Sequence, residues 1–526
     1  MNKRSDQTVN IQEAPDNQDA AALAQEIPEA RDSQLEQGTV HPEDMDKTVL
    51  PVEADAPEDE ADSVSAQAAA VTPSPEPKTE QDKNRPSILY CVPASLLDVT
   101  SGAALSQRTL MAALAAKGFR SVALQATVFD SPHGGEHILK AGEAHKDKKV
   151  LRSVVQGVEH IIIRTAATKR QEVTCSEQEM YLQRFREELK HRRPDMVFMW
   201  GGMLLEMTMM REAREAGIPV IFYLVNGGYK NKDTFKYVSV VVTDTQATAE
   251  LYKHRLGLDC KVVGKFIDPG LVKPKVPRRP DFITFINPSF EKGVSVFMPL
   301  AKLAAKECPE IKFLVVQSRG RWGNALHVLK FKPEDFPNVK VIGHQTDMRP
   351  VYASTRALLL PSLWHESGAR VIAEAQLNAI PILASNTGGS AELVGKGGKI
   401  FELPEIAKEK KTEVHVTEDD LRPWLEEIKR LWHDPAYYDQ MCKKVEQEAV
   451  QHDIERNAER FIKAVGPAVL ASKGLGADGK PIAANTAEQA GSAKPNVLQQ
   501  ALAKKQAQTA AKSKAKAKGK GKGKRL

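Results

Sequence analysis

The sequence predicts an α/β protein in which two doubly wound, Rossmann-like domains face each other across a cleft, with a disordered tail at each end. Short apolar runs alternate with amphipathic segments, which is typical of parallel strands covered by helices on both faces. A segment rich in proline and basic residues interrupts the alternation, which then restarts. Both ends of the chain are strongly charged and contain no aromatic residue.

Composition predicts the two tails. Residues 1–84 carry 20 acidic and 6 basic residues, whereas residues 472–526 carry 13 basic and 2 acidic residues. Neither segment has enough apolar surface to order itself. The net charge of +6 for the whole chain leaves the folded part mildly basic.

Targeting and cysteine patterns indicate a cytoplasmic protein. The first residues, MNKRSDQTVN, lead into polar sequence, and no stretch reaches the roughly 18 unbroken apolar residues of a membrane span. The five cysteines are scattered and form no CxxC pair, so the sequence indicates neither a disulfide framework nor a zinc site.

A first domain is predicted over residues 85–267. Amphipathic segments at 106–117 and 245–256 predict helices that follow strands of this domain. Six apolar runs predict its buried strands: 87–92, 121–126, 159–164, 195–200, 219–225 and 238–243.

A linker and a second domain follow. Four prolines and four basic residues in residues 268–280 predict an interdomain linker. The second domain is predicted over residues 281–445, and no short-period repeat suggests a solenoid or propeller. Five apolar runs predict its strands: 281–286, 311–316, 338–343, 357–361 and 381–385.

Candidate ligand-binding segments lie just after strands, where open α/β sheets bind their ligands. Gly102 precedes one helix, and Lys292 stands at the start of another, where a cation and free N–H groups could meet an anion. The N–H groups around Gly368 and Arg370, in HESGAR, are expected to point into the cleft in the same way.

Two carboxylates, Glu366 and Glu374, stand eight positions apart in HESGARVIAEA. On one helix they would be roughly 12 Å apart, too far to share a proton or a metal ion. They would therefore contact different parts of one long ligand. A sugar nucleotide fits, with its phosphates at the helix ends and its hydroxyls at the glutamates.

These motifs carry a family resemblance. Residues 282 to about 403 resemble the nucleotide-sugar-binding domain of glycosyltransferase family 4, retaining enzymes with the GT-B fold. The similar segments are EKGVSVFMPLAKLA and HESGARVIAEAQLNAIPILASNTGGSAELVG. Residues 87–263 match the first domain of such enzymes only in outline. Residues 452–465 resemble their terminal helix, so residues 446–471 are expected to cross back to the first domain.

The resemblance implies roles for individual residues. Glu366 would contact hydroxyls of the donor sugar, Glu374 would hydrogen-bond the ribose, and Lys292 would neutralise the diphosphate as its bond to the sugar breaks. Gly102, Gly368 and Arg370 are further candidates for donor binding.

One position departs from the family pattern. The family usually has an arginine where this chain has Asn287. Asparagine brings no charge, so that phosphate contact is weaker or is supplied from elsewhere. Arg319 and Arg321, just after the next strand, are candidates by position.

Other sequence features leave alternatives open. Asn226 follows a strand and faces either the acceptor or only its own turn. His133 and His137 have a spacing that could hold a metal ion, but without a nearby third ligand a polar loop is the better interpretation. The DMD at 44–46 lies in the acidic tail and is discounted as a metal motif.

The sequence thus predicts a metal-independent, retaining hexosyltransferase that needs no cofactor and uses a nucleotide-diphosphate sugar. Its acceptor would be a glycan or a lipid-linked glycan, in cell-surface polysaccharide synthesis. Within the same fold, a sugar-nucleotide epimerase or a phosphorylase is the alternative, although no pyridoxal-phosphate lysine motif is found. The alternative from another class is a nonenzymatic scaffold built on a degenerate transferase domain.

The basic tail is either a solvated polyelectrolyte without a partner or a segment that binds an anionic surface. An anionic membrane surface attracts each nearby lysine or arginine with a free energy of about 1 kcal/mol. Such attraction would hold the protein at the inner face of the membrane. Nucleic acid is disfavoured because no aromatic residue stands between the lysines to stack on bases.

Overall fold

The computed structural model describes residues 85–143 and 148–476. Within them the chain forms two α/β domains, each built on its own sheet, so the predicted fold class is confirmed. The predicted tails and the DMD at 44–46 lie outside the described residues, apart from the first five positions of the basic tail. No helix in the described part of the chain combines the length and apolarity needed to cross a bilayer.

The first sheet has eight strands in the order β3-β4-β2-β1-β5-β6-β7-β8. The strands are β1 (Ser87–Cys91), β2 (Arg120–Ala126), β3 (Val150–Val155), β4 (Val158–Ile163), β5 (Met196–Met199), β6 (Val220–Tyr223), β7 (Val240–Thr243) and β8 (Cys260–Val262). The helices are α1 (Gly102–Ala116), α2 (Glu136–Glu143), α3 (Cys175–Arg192), α4 (Leu204–Glu215) and α5 (Gln246–Leu256). Neighbouring strands are parallel except for the antiparallel hairpin of β3 and β4.

The second sheet has six parallel strands in the order β11-β10-β9-β12-β13-β14. The strands are β9 (Phe282–Ile286), β10 (Phe313–Val316), β11 (Val339–Ile342), β12 (Thr355–Leu360), β13 (Ile382–Ser385) and β14 (Gly398–Phe401). The helices are α6 (Val294–Glu307), α7 (Trp322–Leu329), α8 (Arg349–Ser354), α9 (Arg370–Leu377), α10 (Ser390–Val394), α11 (Glu405–Glu409), α12 (Glu418–His433), α13 (Pro435–Glu448) and α14 (Ile454–Ser472).

Every predicted strand is present, whereas β3, β8 and β14 were not predicted. All three lie at sheet edges, where one side is uncovered and the apolar run that marks a buried strand is lost. The first helix begins at Gly102 instead of Ser106, because the Ser101 side chain accepts a hydrogen bond from the Ala104 N–H and so caps an earlier turn.

The last helix packs on the first domain. Ala458, Phe461 and Val465 of α14 are buried in the hydrophobic core of that domain, and the Phe461 ring meets the Phe198 ring edge-on at 5.7 Å. Order also continues into the segment predicted as a disordered tail. Ser472 completes α14, and the Lys473 ammonium lies 2.6 Å from an Asp195 oxygen.

The segment predicted as a linker is fastened to the second domain. The Arg278 guanidinium donates to the carbonyls of Asn378 and Thr355, each at 2.7 Å. Val272 is buried in the apolar cluster beneath α9. Residues 268–280 therefore connect the two domains and also pack as part of the second domain.

Candidate functional site

The centre of the candidate site is an ion pair between two loops of the second domain. The Lys292 ammonium lies 2.6 Å from Oε1 of Glu366, and the Ser362 hydroxyl donates to the same oxygen at 2.7 Å. Glu366 is 5% exposed, whereas a quarter of the Lys292 side chain reaches solvent. The ammonium therefore has donors left for a further anion.

A glycine brings these two loops together. Gly293 has a φ of +81°, and a β-carbon there would lie 1.8 Å from the Pro361 carbonyl oxygen. Only glycine allows the turn before α6 to approach the end of β12 so closely. This approach lets Lys292, the residue before Gly293, reach Glu366 in the loop after Pro361.

Glu374 is as buried as Glu366 and is also paired. Arg370, one turn earlier on α9, approaches Oε1 of Glu374 with its Nε at 2.5 Å, and the Tyr352 hydroxyl donates to Oε2. Burial first, and then the negative charge of Glu374, raises the pKa of Tyr352 well above its usual range. The two glutamates do not share a helix, since α9 begins at Arg370 and Glu366 lies in the preceding loop.

Asn287 has a structural task at the position where the family resemblance implies an arginine. Its φ of +63° is left-handed, which asparagine tolerates better than most residues. Its side-chain oxygen accepts a hydrogen bond from the Gly320 N–H at 2.8 Å. Asn287 thereby holds the loop after β10 against the loop after β9.

Among the described residues, neither arginine proposed as a substitute forms a hydrogen bond with Asn287. Arg321 is the residue that precedes α7, and its charge acts on His344. Arg319 is largely exposed and lies 3.9 Å from Asp130 of the first domain.

Gly102, Gly368 and Arg370 lie where the two domains meet. A β-carbon on Gly102 would lie 3.8 Å from the Arg370 side chain, and Arg370 Nη1 donates to the Ser106 hydroxyl of α1 at 3.5 Å. A β-carbon on Gly368 would lie 2.7 Å from Asp244, the residue just after β7. The structure brings these three predicted residues to one interface.

The start of α5 in the first domain grips the loop that carries Glu366. The Thr245 hydroxyl donates to the Ser367 carbonyl at 2.6 Å, and the Thr248 hydroxyl lies 3.2 Å from Nε2 of His365. In return, Glu392 of the second domain accepts hydrogen bonds from the first two N–H groups of α5, both at 2.9 Å. We call these contacts the α5 clamp.

The Asn226 side chain stabilises its own turn. Its side-chain oxygen accepts a hydrogen bond from the Gly228 N–H at 2.6 Å, which is the turn interpretation left open by the sequence. A β-carbon on the next residue, Gly227, would lie 3.0 Å from His365. The Asn226 loop of the first domain therefore borders the loop that carries Glu366.

Among the described residues, His133 and His137 are not part of a metal site. His133 donates from Nδ1 to the Glu136 carboxylate at 2.6 Å, and its ring stacks on His344 of the second domain with centroids 6.0 Å apart. Burial first, and then the charge of Arg108, lowers the pKa of His137. Within residues 85–143 and 148–476, no group of three or more His, Cys, Asp or Glu side chains is arranged to hold a metal ion.

Known structures decide the fold. Sucrose-phosphate synthase from Thermosynechococcus elongatus is similar with a TM-score of 0.53 at 14% identity, over 72% of this chain and 98% of that one. The pneumococcal O-GlcNAc transferase GtfA, in complex with UDP and GlcNAc, gives 0.53 at 12% identity over 73% and 99%. Anabaena HepE in complex with UDP-glucose gives 0.50 at 15% identity over 72% and 99%. The chain has the GT-B fold.

The second GT-B domain also matches by sequence. Residues 281–434 match the family model described as Glycosyl transferases group 1. Among curated proteins, no sequence relative was found. The family model and the GT-B neighbours together support a glycosyltransferase, without specifying family 4 within the wider group.

Several residues of this site were not predicted from the sequence. Ser362 lies within the PSLWHE segment, and a hydroxyl four residues before a candidate carboxylate was a usable signal. Tyr352, Asp244 and Thr245 come from distant segments, and nothing in the sequence links them to Glu366 or Glu374.

Proposed function

We propose that this protein is a retaining, metal-independent glycosyltransferase that moves a hexose from a nucleotide-diphosphate donor to a glycan or lipid-linked acceptor. The observation that carries the proposal is the Lys292–Glu366 pair at 2.6 Å. The two residues lie in the loops that follow β9 and β12, beside the start of α9. A cation for the leaving diphosphate and a carboxylate for sugar hydroxyls stand side by side there.

Lys292 would bind the diphosphate. Its ammonium has three donors, of which Glu366 occupies one, so a phosphate oxygen can be bound without displacing the carboxylate. The positive charge would stabilise the diphosphate as its bond to the anomeric carbon breaks, and such preorganised charge is usually the largest catalytic contribution. Glu366 would hold the sugar ring through hydroxyls near that carbon.

Glu374 would contact the ribose while it also holds Arg370. Each carboxylate oxygen can accept two hydrogen bonds, and the described contacts use one position on each oxygen. A ribose hydroxyl can therefore be added without breaking the pair. The backbone N–H groups of Gly368 and Arg370, at the start of α9, would face the donor from the same side.

The same geometry supports the proposal of metal independence. Lys292 would meet the charge of the diphosphate that a divalent cation meets in other transferases. The basic tail would bring the enzyme to an anionic membrane surface, where lipid-linked acceptors for cell-surface polysaccharides are found.

The test is a donor screen on the full-length chain. UDP-, GDP- and ADP-sugars are compared for their ability to raise the melting temperature, because a ligand that binds only the native state stabilises it by mass action. UDP-sugars come first, since two similar structures hold UDP or UDP-glucose. The best donor is then incubated with EDTA or magnesium, and the anomeric configuration of the product is read by NMR.

The expected result is stabilisation by one nucleotide class and transfer that is insensitive to EDTA, with the donor's anomeric configuration kept in the product. An inverted anomer would disprove the retaining mechanism, and activity abolished by EDTA and restored by magnesium or manganese would disprove metal independence. Stabilisation without any transfer or hydrolysis would instead favour the scaffold.

A further inference from the structure

A buried serine beside the candidate ion pair has more than one acceptor within reach of its hydroxyl. Ser362 is fully buried, and its Oγ lies 2.7 Å from Oε1 of Glu366 and 3.1 Å from the Glu291 carbonyl oxygen. The Glu291 oxygen already accepts the Leu363 N–H at 2.9 Å. A hydroxyl has one proton, and hydrogen bonds to charged acceptors are shorter and stronger than those to neutral ones. The Ser362 proton is therefore directed to Glu366.

The backbone holds that hydroxyl in place. The Ser362 carbonyl accepts a hydrogen bond from the Ser385 hydroxyl at 2.6 Å, and Ser385, at the end of β13, is fully buried. The preceding residue, Pro361, lies in close contact with Gly293 at the turn before α6. The Ser362 backbone is therefore fixed from two sides.

The two carboxylate oxygens of Glu366 have different surroundings. Oε1 is contacted by the Lys292 ammonium at 2.6 Å and by the Ser362 hydroxyl at 2.7 Å. Oε2 has no hydrogen-bond partner within residues 85–143 and 148–476, and it is not closed off from solvent. The 7% of the Glu366 side chain that remains exposed therefore includes this oxygen. Because a carboxylate oxygen can accept two hydrogen bonds, Oε2 is available to a ligand.

We propose that Ser362 is a positioning residue of the transferase: with Lys292 it holds Oε1 of Glu366, so that Oε2 accepts the proton of one hydroxyl of the donor sugar. The inference rests on the proposed function, which assigns the donor sugar to Glu366. An ionised carboxylate accepts hydrogen bonds and cannot donate them. The site should therefore require a sugar hydroxyl that donates, and it should reject a hydrogen or a fluorine at the same ring position.

Lys292 does not fix the carboxylate by itself. An ammonium is a compact charge on a flexible stem of four carbons, and it attracts either oxygen of a carboxylate. The Ser362 hydroxyl is fully buried and belongs to a backbone held from two sides, so it selects which oxygen is turned inward. Ser362 thus acts on the sugar through Glu366 and does not touch it.

The first experiment separates positioning from folding. In the full-length chain, Ser362→Ala, Ser362→Cys and the control Ser121→Ala are compared for kcat with the donor found by the screen, and for affinity for the free nucleoside diphosphate. Ser362→Ala should lower kcat about tenfold, since a hydrogen bond to a charged group is lost. The nucleoside-diphosphate affinity should not change, because Glu366 contacts the sugar. Ser362→Cys, with its weak S–H donor, should lie between Ser362→Ala and the parent.

Ser121 on β2 is a matched control, because it is buried and its hydroxyl has no hydrogen-bond partner within the described residues. Ser121→Ala should keep both parent values. Parent kcat in Ser362→Ala would overturn the proposal. Equal losses of kcat and of nucleoside-diphosphate affinity would also overturn it, since they would indicate only a structural role. If Ser362→Ala fails to fold, Ser362→Cys decides by the same criteria.

The second experiment identifies the oxygen of Glu366 that meets the sugar. In Glu366→Gln, only the amide oxygen can accept from Lys292 and Ser362, so the amide nitrogen takes the place of Oε2 and an acceptor becomes a donor. Donor analogues with fluorine in place of one hydroxyl at a time are titrated into both proteins by calorimetry. At one ring position, fluorine should weaken binding at least tenfold in the parent and much less in Glu366→Gln. The same preference in both proteins would overturn the assignment of Oε2.

Ligand-free crystal structures of the parent and of Ser362→Ala distinguish this inference from the proposed function. The Glu366 carboxylate should be rotated or shifted in Ser362→Ala, and an unchanged carboxylate would overturn the role of Ser362. A parent that neither binds nor uses any nucleotide sugar would disprove the transferase, while the two structures would still decide whether Ser362 positions Glu366.

Discussion

The ammonium nitrogen of Lys292 lies 2.6 Å from a carboxylate oxygen of Glu366, although the two residues are 74 positions apart in the chain. The carboxylate is buried and also accepts from Ser362, whereas the ammonium keeps contact with solvent. The pair thus has a fixed half and an accessible half. An incoming diphosphate can reach the lysine without first dismantling the site.

Lys292→Ala should lower kcat by roughly 30- to 1000-fold, since losing one preorganised charge at a developing anion costs about 2 to 4 kcal/mol. The control is Lys302→Ala, which removes a half-exposed lysine of α6 that pairs with Asp335 at 2.8 Å. It should leave kcat unchanged. Full activity in Lys292→Ala would mean that the phosphate site lies elsewhere.

Glu374→Gln should destabilise the fold by about 3 to 5 kcal/mol, because the Arg370 charge is left buried without its partner. Tyr352→Phe, which removes a single hydrogen bond to the same carboxylate, should cost only about 1 kcal/mol. Urea unfolding measures both. A Glu374→Gln variant as stable as the parent would show that the buried pair contributes nothing.

Asn287→Arg should lower both stability and activity, because arginine loses the hydrogen bond to Gly320 and must adopt a left-handed φ at a cost of about 1–3 kcal/mol. Asn287→Asp keeps an acceptor oxygen and should be the mildest change, with Asn287→Gly between the two. Melting temperature and kcat are measured for all three. If Asn287→Arg equals the parent, the loop contact has no importance and the missing phosphate arginine can be restored.

Glu392→Ala should loosen the α5 clamp. Removing a carboxylate from the two N–H groups that begin α5 costs about 1 kcal/mol, and because α5 holds the Ser367 carbonyl, turnover should fall about fivefold. The control is Glu402→Ala, an exposed glutamate that contacts Asn386 within its own domain. Equal turnover in the two variants would show that the α5 clamp does not contribute to catalysis.

Stability should fall on acidification because of a buried histidine. Burial first, and then the charge of Lys265, lowers the pKa of His452 to about 4, while Nε2 contacts the Gln376 oxygen at 2.5 Å. The unfolded chain therefore binds a proton below about pH 6.5 that the folded chain accepts only below about pH 4. The free energy of unfolding should decrease through this window by up to about 3 kcal/mol from this residue.

His452→Gln should remove that part of the pH dependence, measured by urea unfolding at several pH values between 7 and 4. A smaller slope should remain, because burial lowers the pKa of His160 in the same direction. His254→Gln, at an exposed position of α5, is the control and should behave like the parent. A slope unchanged by His452→Gln would contradict the assignment.

Local pattern determined the fold class and the interior strands. Runs such as 219–225 and 381–385 are apolar throughout because parallel strands are covered on both faces, and that burial is visible in one dimension. Glu366, Glu374 and Lys292 were also identified locally, since a helix start and its charged residue lie in one short segment. Edge strands such as β14 were not, because half-covered strands lack that pattern.

The tertiary structure alone decided what these residues contact. Glu374 accepts a hydrogen bond from Tyr352, 22 positions away. The sequence marked Asn287 only as a position without the expected positive charge. Its left-handed backbone and its hydrogen bond to Gly320 instead show that it holds two loops together. The periodicity of a sequence shows which face of a helix or strand is buried. It does not show which distant side chain lies against that face, and hydrogen bonds between side chains depend on that pairing.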